Sequence, residues 1–129
     1  MMTPMTLGQY NIQSMEFSKD EARFPTADEA IAFIKEQVEA HPMATYISTF
    51  DHYSHTKSLP QGRIADDITD VKMAIFCFGP DISIPQLAGV RPRSISVVEH
   101  TDKFTVTFMN APAPFLQDTM TEWCEALKK

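Results

Sequence analysis

Six consecutive apolar residues, Met73-Ala74-Ile75-Phe76-Cys77-Phe78, stop abruptly at Gly79-Pro80. So short a run, closed by a turn signal, reads as a β-strand with no polar face. A strand of that kind belongs inside a sheet, covered on both sides. The strand over residues 71–78 therefore demands partner strands and covering elements from the same chain. Two segments downstream, 94–99 and 103–109, carry Val97, Val98, Val106 and Phe108. His100-Thr101-Asp102 joins them as a hairpin, which closes on Asn110-Ala111-Pro112.

The rest of the chain supplies the cover. Thr26-Ala27-Asp28-Glu29 is a capping box: the Thr26 hydroxyl takes the Glu29 amide and the Glu29 carboxylate reaches back. Ala27, Ala30, Ile31, Ile34 and Val38 then recur at helical spacing, and Asp28 and Glu29 suit the positive end of the helix dipole. His41-Pro42 ends the helix, because the residue before proline leaves the α region. A first strand is predicted over 9–18, with alternation broken once between Ile12 and Met15, as a bulge would break it. A second is predicted over 43–50. Asp51 is placed to cap a short helix. Leu59-Pro60-Gln61-Gly62 is a turn, and residues 63–70 an acidic loop. Residues 81–90 form a proline-interrupted connection. Pro112 and Pro114 suit the first turn of a last helix, whose stripe is Leu116, Met120, Trp123, Cys124 and Leu127. Residues 1–8 are expected to be a flexible leader.

This order predicts an α+β two-layer sandwich, a mainly antiparallel sheet with helices on one face. At 129 residues the chain is expected to form a single domain spanning 1–129. A domain of that size buries roughly two-thirds of its unfolded surface. Ile31, Ile34 and Ile75 are expected in one core.

Charge and motifs exclude several functions. The formal net charge is −6. The cations Lys57, Arg63, Lys72, Arg91, Arg93 and Lys103 are scattered, whereas a phosphate backbone or an anionic membrane requires them clustered. No nucleic-acid or membrane partner is expected. The longest apolar run falls far short of the roughly 20 residues of a membrane span. No basic segment followed by an apolar block suggests a signal peptide, so a cytoplasmic location is expected. Cys77 and Cys124 form no CxxC pair and read as buried thiols in a reducing compartment. Gly-rich phosphate loops and the GxSxG elbow are absent.

Asp51, His52 and His55 make the sharpest local cluster. On a helix the two histidines lie at i and i+3 and can face one ion. Zinc or iron needs at least three protein ligands, and the third would have to come from His41, His100 or a remote carboxylate. No bound metal and no cofactor are therefore expected. Cys77, flanked by Phe76 and Phe78, reads as an inert buried thiol. Gly79-Pro80 and Asn110-Ala111-Pro112 end strands that are expected to be neighbours and to frame a cleft. Arg91 and Arg93, in the connection between them, suit a small anion. Phe115, Met120 and Trp123 stand at the spacing of a core face, or of a face that covers a partner.

With those residues in place, the chain resembles the prokaryotic family known as domain of unknown function 302. Asp51 ends a strand as in that family. Phe78-Gly79-Pro80 stands where the family has Phe-Gly-Asn-Pro, and Asn110-Ala111-Pro112 where it has Asn-Asp-Pro. The resemblance covers roughly residues 9–112. It implies a compact α+β fold, often dimeric, with no established activity. The reading that follows is a homodimer binding a small molecule or a partner protein. Its candidate ligand-binding residues are Asp51, His52, His55, Gly79, Pro80, Arg91, Arg93 and Asn110. The alternative is a small enzyme using His52 or His55 as general base, with or without a metal.

Overall fold

Antiparallel pairing organises the chain from its third residue onward. A computed structural model describes residues 1–129. It contains strands β1 (Thr3–Leu7), β2 (Tyr10–Ser18), β3 (Thr45–Asp51), β4 (Ile68–Cys77), β5 (Arg93–His100) and β6 (Lys103–Met109). Three helices, α1 (Ala27–Ala40), α2 (His52–Ser58) and α3 (Pro114–Glu125), are joined to them with two 3-10 turns, Lys19–Glu21 and Pro85–Val90. The six strands form one sheet in the order β1-β2-β6-β5-β4-β3, with every pair antiparallel. The predicted α+β sandwich is the observed fold, with α1 and α3 on one face of the sheet. No helix is long and apolar enough to cross a membrane.

Period-two alternation divides the sheet into two unlike faces. Toward α1 and α3 point Met15, Phe17, Ala74, Phe76, Ile95, Val97 and the three buried β6 residues Phe104, Val106 and Phe108. Ile31, Ile34 and Val38 of α1 close this core, with Leu116, Met120 and Trp123 of α3. The opposite face carries Ser94, Ser96 and Val98 on β5, Val71, Met73, Ile75 and Cys77 on β4, and Thr107 and Met109 on β6. These are half-buried or exposed. The short α2 and the loop after it flank only part of it.

Helix entry follows the sequence with one difference. The Thr26 hydroxyl accepts the Glu29 amide at 3.2 Å, as expected. The reach-back does not come from Glu29. Instead Glu99 of β5 accepts the Ala27 amide at 2.9 Å, and its other oxygen takes the Lys19 ammonium at 2.9 Å. A cap supplied by a strand ties α1 to the sheet, which a local capping box cannot do. The reciprocal box is made at Ser18 and Glu21, ahead of the first 3-10 turn.

Two further expectations change. Residues 3–7, placed in a flexible leader, form β1 and pair with β2 in the register Thr3↔Ser14 to Leu7↔Tyr10. Ile75 does not join Ile31 and Ile34: it stands on the opposite face, while Ala74 and Phe76 enter the core. An all-apolar strand carries no mark of which alternate residues face the helices, and its second face is only half covered. Both outer sides of the β5–β6 hairpin are paired, by β4 and by β2. The edges fall at β1 and β3.

Candidate functional site

The His52 cluster is built from a cap. Asp51 ends β3, and its carboxylate accepts the Ser54 amide at 3.0 Å and the Ser54 hydroxyl at 2.9 Å. Those bonds, with the charge of Lys72 at 3.8 Å, hold the Asp51 carboxyl below its ordinary pKa. Lys72 sits among three aspartates, at 2.7 Å from Asp70, 3.3 Å from Asp28 and 3.8 Å from Asp51. Burial works against its charge, but the aspartates outweigh it and raise its pKa. Asp51 is thus committed to a cap and a lysine, and orients neither histidine. His52 stacks on Phe50 with ring centroids 5.4 Å apart, and His55 leans on the same ring at 5.6 Å. No group of three or more His, Cys, Asp or Glu side chains converges anywhere as a metal site would require. His52 does reach a cleft of about 330 Å³ on the open sheet face, between α2, Arg63-Ile64-Ala65, and Val71 and Val98 below. His55 does not line it.

One wall of that cleft is pinned by a histidine. His100, only 8 % exposed, engages Asp67 through Nδ1 at 2.9 Å and the Thr105 hydroxyl through Nε2 at 2.9 Å. The imidazole bond lowers the pKa of Asp67. The Thr101 amide also donates to the Asp67 carbonyl at 2.9 Å, so the acidic loop is tied down on β5.

The arginine cleft lies where β5 begins and β6 ends. Its volume is about 390 Å³, and Arg91, Arg93, Ser94, Met109 and Asn110 line it. Gly79 and Pro80, expected to frame it, do not. Gly79 turns the chain after β4 with φ +58, a left-handed conformation natural to glycine. Arg93 is 9 % exposed. Its Nη2 donates to the Met109 carbonyl, its Nε is buried without any partner, and Nη1 makes no hydrogen bond. No arginine in the protein takes part in an ion pair. Burial alone lowers the Arg93 pKa, with no acid opposing it. Arg91 donates through Nη1 to the Leu87 carbonyl at 2.6 Å. Asn110 accepts from Gln13 at 3.1 Å and from Gln117 at 3.3 Å through Oδ1, which leaves its amide nitrogen available to donate.

A buried guanidinium without a counter-charge is costly, of the order of several kcal/mol. Nothing acidic lines the cleft to offset it. Arg91, Arg93 and Asn110 are among the residues that line a cavity of ligand size, and a guanidinium fork matches a carboxylate or phosphate. Arg91 and Arg93 are legible in the sequence as suited to a small anion, and Asn110 as a residue framing a cleft. The burial of Arg93 is not, because it follows from the register Phe76↔Arg93 rather than from composition. Sequence reasoning missed Ser94 and Met109 in the arginine cleft, and Arg63, Val71 and Val98 in the α2 cleft. Only the alternation of β5 pointed toward some of them. Cys124 is fully buried and burial pushes its thiol pKa up, which leaves it inert.

Over residues 1–129 the chain matches the model described as Family of unknown function (DUF6858). That is a different family from domain of unknown function 302, and the match overturns that resemblance. An Asp that caps a helix, and Gly, Pro or Asn at strand ends, are demanded by turn geometry in many antiparallel folds. Such short motifs do not separate one from another. No curated protein and no solved structure matches the chain.

Proposed function

We propose that this chain, which belongs to the DUF6858 family of unknown function, binds a small molecule by an anionic group seated between Arg91 and Arg93. The observation that carries this reading is the buried Arg93, whose Nε has no partner and which no acid neutralises. A carboxylate or phosphate in the cleft supplies the missing counter-charge, with Arg91 and the Asn110 amide as further donors. We also propose a homodimer, formed along the outer edge of β1, all five residues of which are exposed.

Calorimetric titration with acetate and with inorganic phosphate tests the binding site. Saturable binding of at least one is expected in the wild type, and its loss in Arg93→Met. A folded wild type that binds neither refutes the reading. The stability of Arg93→Met without ligand is a second readout. Replacing a buried, unneutralised charge by an apolar side chain of similar length is expected to leave the unfolding free energy unchanged or to raise it by about 1–4 kcal/mol. A loss above about 3 kcal/mol would make Arg93 a structural residue.

A further inference from the structure

The cleft beside α2 is walled by a loop that is clamped at both ends. The chain leaves α2 after Ser58 and rejoins the sheet at Ile68, and Arg63, Ile64 and Ala65 line the cleft on the way. At the near end Gly62 passes against the helix, where a Cβ would lie 2.0 Å from the Thr56 carbonyl oxygen. Only glycine permits so close an approach. At the far end the Asp67 carboxylate engages His100 at 2.9 Å, and the Asp67 carbonyl accepts the Thr101 amide at 2.9 Å. Fixed in this way, the loop and α2 hold the cleft of about 330 Å³ open without a ligand, as binding clefts usually are. Its floor is apolar: Val71 and Val98 pair directly across β4 and β5, on the face opposite to Arg93, and both are half-buried.

The polar groups around that floor are unspent. His52, Tyr53, Thr56 and Arg63 line the cleft, and none of their side chains makes a hydrogen bond or ion pair within the protein. Of the 17 acids in the chain none lines the cleft, and the nearby Asp67 and Asp70 are engaged by His100 and Lys72. A second cation backs Arg63, since the Lys57 ammonium lies 5.6 Å from the centre of the Tyr53 ring. We propose that this cleft is a second binding site, separate from the one at Arg93, for an aromatic monocarboxylate. Its ring covers Val71 and Val98 beside Tyr53 and His52, and its carboxylate pairs with Arg63. The apolar floor supplies most of the affinity, because burial of a ring counts for more than an ion pair with an exposed arginine. Arg63 selects the charge. One negative charge suits one lining arginine, and the net charge of −6 opposes a second.

Titration of the full chain with naphthoate, its neutral counterpart naphthylmethanol, and acetate tests this, read in nitrogen-15 spectra. Naphthoate is expected to shift the Val71 and Val98 amide signals saturably, and acetate, which has no apolar body, to leave them fixed. Naphthylmethanol is expected to move the same signals with about threefold weaker binding. Arg63→Gln, at an exposed residue, should bring naphthoate down to the affinity of naphthylmethanol. Val98→Glu should weaken naphthoate at this cleft by about tenfold or more by charging the floor, and if that variant does not fold, Arg63→Gln carries the test. Valine signals that stay fixed with naphthoate overturn the second site. Equal binding of naphthoate and naphthylmethanol, or naphthoate binding that Arg63→Gln leaves unchanged, overturns the choice of a carboxylate. The Arg93 Nε–H signal reports the other site independently, so either site can fail while the other stands.

Discussion

At the scale of single residues, charge placement separates structural side chains from available ones. Lys72, Asp67, Glu99 and Asp51 are each engaged by a partner that explains them. Arg93 alone is buried and unneutralised. Asp51 makes a test of the structural class. Its folded pKa is depressed, first by the Ser54 amide, then by the Ser54 hydroxyl and Lys72. A depressed carboxylate pKa contributes stability that is present above the unfolded value. That contribution is lost as pH falls through the folded one. Asp51→Asn keeps a good capping oxygen but cannot titrate. Urea unfolding between roughly pH 5 and pH 2 should therefore show a shallower fall in stability for Asp51→Asn than for wild type. An unchanged acid slope would show that Asp51 titrates normally and that its cap bonds are weak. Arg91 and Arg93 could be read from the sequence as suited to a small anion, and Asn110 as a residue framing a cleft. That Arg93 is buried could not, because burial depends on which strand lies beside it and which face it turns.

At the scale of elements, legibility tracked how local the cause was. α1 was readable because its spacing, its Thr26 cap and its His41-Pro42 stop all lie within the segment. α2 was readable from Asp51, and α3 from Pro114 at its first turn. β1 was missed. Thr3–Leu7 has no apolar alternation that faces a core, and all five residues are exposed. It is a strand because β2 offers it an edge, a reason that lies outside the segment. β4 was found as a strand yet given the wrong inner face at Ile75. With apolar residues on both faces, only the helices above decide which set is buried. Ser94, Ser96, Val71 and Val98 read as ordinary strand residues until the sheet order brings β4, β5 and β6 side by side.

At the scale of the whole molecule, one sheet has two unlike faces. Its inner face is filled by α1 and α3. Its outer face stays open between α2 and the arginine cleft, with two edges at β1 and β3. Met5, Leu7 and Tyr10 are exposed at the β1 edge, and an open edge with apolar residues is a pairing surface. Light scattering after size exclusion, at high micromolar concentration, should give twice the chain mass of 14.6 kDa. A clean monomer removes the homodimer. If Arg93 is held for an anionic ligand, as proposed, its own Nε–H reports on that most directly. In nitrogen-15 spectra the Arg93 Nε–H signal, assigned by its disappearance in Arg93→Met, should shift saturably as acetate or inorganic phosphate is added, together with the side-chain amide of Asn110. If both signals stay fixed through a titration that saturates any other site, or if no signal moves at all, the account is contradicted.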